Sequence, residues 1–286
     1  MARGVLMTQR FHSCQTDEPV IKPMNTKLLL TLAGALVVGS SLLPAQTAPA
    51  APAAPTLGFT FTPAFVSQYM FRGVRLGGAA FQPTLEGAYG NYTFGVWAST
   101  PVKDKVPGVS DPEIDVYGSY TASINDAASF VTGFTWYNYP DADKSAGFYK
   151  STFEPSIALN YTVGGLKLTP KLYYDFILDG LTAEVTAFYA VPMKDLGSEL
   201  DFTATWGTYK WDEAAENTTP SVKNWGDYWS VGVAMPFQVT TASKITVGFA
   251  YVKGDGNYFK QGSLPRTENT AAVGRGVVSL AYSLSF

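Results

Sequence analysis

The chain has 286 residues, 46% of them hydrophobic and 14% aromatic, with 20 basic and 23 acidic side chains and a net charge of −3. One cysteine, Cys14, excludes an intrachain disulfide framework, and one histidine, His12, removes the commonest general base and metal ligand from almost the whole length. Mild acidity argues against nucleic acid as a partner.

Residues 1–23 look neither like a signal start nor like a domain, and are read as a misassigned start or an extension, with Met24 as the true beginning. Met24-Asn25-Thr26-Lys27 is a short basic start, Leu28 to Val38 an apolar run, and small residues with Pro44-Ala45 follow. This pattern, over 24–45, is that of a cleaved secretory signal, too short for a membrane-spanning helix. Cleavage fits after Ala45 or after Ala50. Removing 1–45 takes away Arg3, Arg10, Lys22, Lys27, Asp17 and Glu18, which leaves 16 basic and 21 acidic residues and a net charge of −5. The mature chain then has neither Cys nor His, so Ser-His-Asp, Cys-His and His-metal chemistry is excluded and no enzyme is expected. Residues 46–56 form an Ala/Pro linker, and 57–286 read as one domain.

From Leu57 onward the sequence alternates apolar and polar with period two, the signature of strands with two unlike faces. Twelve strands are predicted, at 57–72, 79–89, 92–100, 113–124, 128–139, 149–161, 166–176, 181–191, 199–210, 228–236, 244–252 and 274–286. In the first, Phe59, Phe61, Phe65, Tyr69 and Phe71 share a face; in the seventh, Leu166, Leu168, Leu172, Tyr174 and Phe176 oppose Lys167, Lys171 and Asp175. The fifth is weaker, because Tyr137 and Tyr139 sit opposite Phe130, Phe134 and Trp136. In the last, Val278, Leu280, Tyr282, Leu284 and Phe286 form one apolar face that ends on an aromatic terminus. Tight turns such as Gly90-Asn91 and Val163-Gly164-Gly165 alternate with longer polar connections, although 192–198 and 237–243 read as intermediate and Leu178-Asp179-Gly180 as short. The expected fold is all-β, an antiparallel transmembrane outer-membrane β-barrel of about twelve strands. Parity alone does not separate it from a soluble sheet, whose strands carry the same alternation.

Strand charges fall almost wholly on the polar parity: Arg72, Glu86, Asp115, Lys150, Glu154, Lys167, Lys171, Asp175, Glu184, Glu199, Asp201, Lys244 and Arg275. In a barrel these are candidates to line the lumen, where rings of charge tune solute preference. The alternative is that they pair across the lumen and plug it. Arg72, followed by Gly73, reads either as a positive group at the lumen mouth or as a structural arginine bonded to a carboxylate such as Glu86. Around the 212–227 loop stand Trp211, Trp225, Tyr228 and Trp229, as ligand binders or as part of an interfacial girdle.

Several segments resemble, in order, the TorF-family outer-membrane porins. Ser67-Gln68-Tyr69-Met70-Phe71-Arg72-Gly73 is similar to that family's S-x-Y-x-F-R-G signature, Gly95-Val96-Trp97-Ala98-Ser99 to its G-x-W-x-S element and Glu113-Ile114-Asp115-Val116-Tyr117 to its acidic strand. Tyr137-Asn138-Tyr139-Pro140 resembles its Y-x-Y-P element and Phe153-Glu154 the strand that follows. The resemblance implies a pore in the bacterial outer membrane and names no solute. Twelve strands imply a narrow lumen. The expectation is therefore a passive channel for small polar solutes or ions, with a closed barrel serving as receptor or anchor as the alternative. No cofactor or metal is expected. The implied partners are outer-membrane lipid, small polar solutes or ions, and the barrel-assembly machinery, which would read Tyr282, Leu284 and Phe286 in the closing strand.

Overall fold

A computed structural model describes residues 27–30, 38–41, 55–103, 112–142, 149–177, 179–211, 225–254 and 274–286. Lys27–Leu30 and Val38–Ser41 pair with each other in a separate two-stranded ladder. From Gly58 onward the described strands, apart from Tyr69–Phe71 and Val74–Gly77, build one closed antiparallel barrel of twelve strands.

The strands are β1 (Gly58–Thr62, continued by Ala64–Val66), β2 (Ala80–Phe81 and Thr84–Tyr89), β3 (Tyr92–Pro101) and β4 (Glu113–Asn125). They continue as β5 (Ala128–Asn138), β6 (Ser151–Val163), β7 (Leu166–Asp175) and β8 (Gly180–Met193). The last four are β9 (Ser198–Trp211), β10 (Trp225–Thr240), β11 (Ser243–Gly254) and β12 (Arg275–Ser285). Each pairs with its neighbours in sequence, and β12 closes on β1, with Leu284 opposite Phe61 and Leu280 opposite Phe65. Phe286 completes the seam: its N–H and C=O each exchange a 2.9 Å bond with Phe59. Closure pairs the last strand with the first, the way a β-structure satisfies its edges in hydrocarbon.

Prolines break the ladder locally. The β6–β7 pairing skips the residues around Pro170, which has no N–H to donate, and resumes at Tyr161 opposite Leu168. Pro63 and Pro83 divide β1 and β2 in the same way, yet their carbonyls still accept from Tyr282 and Ala98.

Closure settles what parity leaves open. The apolar face of every strand is outside, where Phe249 is 51% exposed and Leu280 54%, while Asp115, Glu154, Thr182 and Asp201 are buried inside. A soluble sheet would have reversed that sense. An exposed apolar belt around a whole molecule has lipid as its physical partner. Aromatic pairs stand at both edges of the belt: Tyr92 with Tyr120, centroids 5.0 Å apart, at one end, and Trp229 with Tyr251, 5.5 Å, at the other.

The two rims differ. One carries tight turns throughout, including Gly164-Gly165 with φ of +55° and +84°. The connections read as intermediate are short here too: a single 3-10 turn, Lys194–Leu196, closed by Gly197, and Thr241-Ala242. The opposite rim carries the longer connections, with 176–179 the short exception.

One prediction fails instructively. The first strand does not run to residue 72. It stops at Val66, and Tyr69–Phe71 and Val74–Gly77 form an antiparallel hairpin outside the barrel sheet. Tyr69 and Phe71 keep the apolar parity of β1 beyond Ser67, but they leave the lipid-facing wall. Their partners are inside the barrel.

Candidate functional site

The hairpin folds from the longer-looped rim into the lumen. Its turn is Arg72-Gly73, with φ of +45° and +84°; two positive φ values are what a two-residue hairpin turn requires. At Arg72 that conformation is uncommon for a side-chain-bearing residue, and such outliers persist where surrounding contacts over-determine them. Those contacts reach most of the way round the wall. Tyr69 donates to Glu113 of β4 at 2.6 Å, and its ring packs 5.6 Å from that of Trp97 on β3. Phe71 meets the Tyr137 ring of β5 edge-on at 6.0 Å. Arg72 forks onto Glu154 of β6, through Nη1 to Oε1 at 2.7 Å and Nη2 to Oε2 at 2.8 Å. Its Nη1 is 3.4 Å from Thr182 of β8, and its Cζ lies 4.6 Å from the Tyr173 ring of β7. Gly73 presses on β11 so closely that a Cβ there would stand 2.5 Å from the Gly254 Cα. Tyr69, Met70, Val74 and Leu76 are buried in one cluster with Val66, Trp97, Tyr209, Tyr228, Ala250 and Val252. The barrel's apolar core is therefore this stopper, not a layer between sheets.

Phenols hold the wall glutamates. Glu113 also accepts from Tyr139 at 3.1 Å, and Glu154 from Tyr137 at 2.9 Å. Two further pairs share a device built from three adjacent strands. Tyr117 of β4, Gly95 of β3 and Glu86 of β2 lie in one register row, and the Tyr117 hydroxyl crosses the glycine to donate to Glu86 at 2.9 Å. Tyr228 of β10, Gly207 of β9 and Glu184 of β8 repeat this, with the bond at 2.6 Å. At both glycines the tyrosine ring occupies the space a Cβ would fill. Glu184 takes a second phenol, from Tyr173 at 3.2 Å. The awkward parity of the fifth predicted strand is explained here: Tyr137 and Tyr139 face inward because each serves a carboxylate.

The predicted site residues thus separate. Arg72 is bonded to a carboxylate, but to Glu154 across the lumen and not to Glu86. Glu86, Glu154 and Glu184 are engaged by tyrosines. Lys171 faces inward on β7 with its ammonium 4.6 Å from the Tyr173 ring. Asp201 is buried on the inner face of β9, and Asp115 on that of β4, opposite Trp97 and Tyr137. Asp175 ends β7 by accepting the Ile177 N–H at 2.8 Å. Lys150 precedes β6, exposed at the looped rim, and donates to the Pro140 carbonyl at 3.0 Å. Arg275 opens β12 and reaches the Gly274 carbonyl at 3.2 Å. Tyr282 and Leu284 face outward, and Phe286 is 70% exposed. Trp229 is on the outer belt while Tyr228 points inward; the side chains of Trp211 and Trp225 and the loop between them lie outside the described residues. Among the described residues no cluster of three or more acidic, His or Cys side chains could hold a metal ion.

Sequence reasoning missed Glu113, the acceptor of two phenols, and the Tyr–Gly–Glu rows. It also missed that the segments carrying the family resemblance meet in space. Tyr69, Phe71, Arg72 and Gly73 make the hairpin, Trp97 and Glu113 receive Tyr69, and Tyr137 with Glu154 receive Phe71 and Arg72.

A closed twelve-stranded antiparallel barrel with apolar outside and polar inside is an outer-membrane β-barrel in fold. Within that class the chain belongs to the Gcw_chp family, described as bacterial proteins of unknown function, whose profile matches residues 50–275. The TorF name remains a resemblance. No curated protein matches the chain. Among solved structures it is similar to the NanC porin, at 10% identity and a TM-score of 0.49, covering 79% of this chain and 98% of that one. Against the KdgM porin the identity is 12% and the TM-score 0.48, over 79% and 99%. An outer membrane channel from Pseudomonas putida F1 gives 11% and 0.43, over 84% and 100%.

Proposed function

We propose that this protein is an exported outer-membrane channel for small polar solutes or ions, with its passage stoppered from the looped side by the hairpin. The observation that carries this reading is the division of labour in the lumen. The wall is a complete barrel by itself, and what blocks it is a separate segment, Tyr69–Gly77, tied to the wall by side chains. A barrel meant to stay solid can be filled by its own inward side chains. In this reading Glu86, Lys167, Lys171, Glu184, Asp201 and Lys244 line the passage, the tight-turn rim faces the periplasm, and Tyr282, Leu284 and Phe286 serve barrel assembly.

The same hairpin supports a second reading, a permanently closed barrel that acts as a receptor or anchor through its longer loops. Planar-bilayer recordings of the native protein and of a variant with 69–77 replaced by a short Gly-Ser link separate the two. The channel reading expects small, infrequent steps from the native protein and sustained conductance from the variant. If the variant folds as a heat-modifiable barrel and never conducts, the closed-barrel reading replaces it.

A further inference from the structure

The hairpin is latched into a pocket that belongs mostly to the wall. Glu154, Tyr173 and Thr182 come from the successive strands β6, β7 and β8. Together they meet the Arg72 guanidinium with a two-pronged carboxylate at 2.7 and 2.8 Å, an aromatic face at 4.6 Å and a hydroxyl at 3.4 Å. The Tyr137 hydroxyl, 2.9 Å from Oε2, holds the carboxylate in that orientation. From the hairpin itself comes one more aromatic, Phe71, whose ring is 4.8 Å from Cζ. A planar fork between rings matches a guanidinium and mismatches an ammonium, which is a compact, strongly hydrated point charge.

With Arg72 seated, Glu154 is 2% exposed; its other partner is the Tyr137 phenol, and Lys171 stands on the next strand with its ammonium 4.6 Å from the Tyr173 ring. A hairpin that retracts therefore leaves behind a formed anionic pocket facing the lumen.

We infer that the Glu154–Tyr173–Thr182 pocket is a binding site for solutes that carry a guanidinium group, and that Arg72 is its tethered occupant. A free guanidinium solute takes the place of Arg72 and holds the hairpin out. This inference rests on the channel reading and adds to it a solute class and a means of opening. The tether sets the threshold. A short tether holds its group at an effective concentration in the millimolar range, and the packing of Tyr69, Met70 and Val74 adds to it. Native protein should thus respond to concentrated ligand, and protein lacking Arg72 to dilute ligand.

The test uses the full chain in detergent, with Arg72→Ala to empty the pocket, Arg72→Lys to keep charge without the fork, and Arg72→Ala/Glu154→Gln to damage the wall. Heat-modifiability on gels checks each barrel. Titration calorimetry with arginine, guanidinium ion and lysine should show Arg72→Ala binding arginine at least ~10-fold more tightly than lysine. The double variant should lose this, and Arg72→Lys should bind arginine more weakly than Arg72→Ala does, because the lysine still occupies the site. Equal binding of arginine and lysine by Arg72→Ala, or arginine binding that survives Glu154→Gln, overturns the inference. Bilayer recordings keep the two proposals apart. A hairpin-less barrel that conducts beside an Arg72→Ala protein indifferent to guanidinium sinks the pocket and leaves the channel. Selective arginine binding by Arg72→Ala beside a hairpin-less barrel that never conducts sinks the channel and leaves the pocket.

Discussion

The two ends of the lumen are built from different chemistry. From the looped rim to the middle of the wall, long side chains cross the interior: tyrosines reach glutamates two strands away, and an arginine on the hairpin reaches Glu154 on the far wall. Toward the tight-turn rim, short hydroxyls and amides bond sideways to the next strand. Thr62 donates to Ser283 at 3.0 Å, Thr60 and Ser285 share a 3.0 Å contact, as do Thr186 and Thr205, and Thr169 donates to Asn160 at 3.0 Å. Lateral bonds satisfy polar groups without filling the interior, whereas transverse ones fill it. One barrel therefore carries an apolar packed cluster around the hairpin and a lining of laterally bonded hydroxyls and amides toward the tight-turn rim.

By that contrast a buried charge is costly at one end and tolerated at the other. Val74 is 2% exposed in the stopper. Val74→Asp should cost about 3–5 kcal/mol of seating free energy, since the carboxylate gains no cation there. The hairpin should then leave its seat, and trypsin should cut at Arg72 or Arg75 in folded, lipid-embedded protein, where the native chain resists. Ser119→Asp, at a half-buried position on β4 nearer the turn rim, should change the unfolding free energy by no more than about 0.5 kcal/mol, the range of an ordinary surface change. Equal protease sensitivity in both variants would erase the distinction.

How far this was legible in sequence follows the same divide. Strand parity is a local, period-two property, so the strands of the wall and the apolar face of each could be read residue by residue, while the side on which that face lies could not. Leu280, Tyr282 and Leu284 share one face as their alternation requires, and closure puts it outward. The stopper joins residues far apart in the chain: Arg72 and Glu154 are 82 positions apart, and each Tyr–Gly–Glu row draws on three strands. Periodicity carries no information about such pairings. Worse, Tyr69 and Phe71 continue the parity of β1, so the pattern concealed the point where the chain left the wall. A signal was available in Met70-Phe71-Arg72-Gly73-Val74-Arg75-Leu76, where an X-Gly pair sits between short apolar runs as in a two-residue hairpin.

Glycines sharpen the comparison at an intermediate scale. A Cβ on Gly73 would stand 2.5 Å from the Gly254 Cα and 2.8 Å from the Tyr228 Cβ, all of it backbone or near-backbone that has little room to yield. Gly73→Ala should cost about 2–4 kcal/mol, overlap adding to the left-handed backbone penalty, and should loosen the hairpin in the trypsin assay. At the turn rim Gly164 also has positive φ, but a Cβ there meets nothing within 4 Å. Gly164→Ala should show only the backbone part, about 1–2 kcal/mol, with no change in protease access. A hairpin that stays protected in Gly73→Ala would mean that its tip does not press on β11.

Single hydroxyls give the smallest and most local comparison. Tyr137→Phe removes one of the donors to the buried Glu154 carboxylate and keeps the ring that packs on Phe71. A hydrogen bond to a charged group is worth about 1.5–3 kcal/mol, and the loss should fall on seating of the hairpin. Thr62→Val removes a neutral bond to Ser283 at the far end, worth about 0.5–1.5 kcal/mol, and leaves the hairpin untouched. Because Tyr137 and Arg72 share Glu154, their losses should not add. A double-mutant cycle of Tyr137→Phe with Arg72→Ala, read from urea midpoints, should return a coupling of about 0.5–3 kcal/mol. The same cycle with Thr62→Val in place of Tyr137→Phe should return none, and a coupling there would join the two ends of the lumen that the bonding pattern keeps apart.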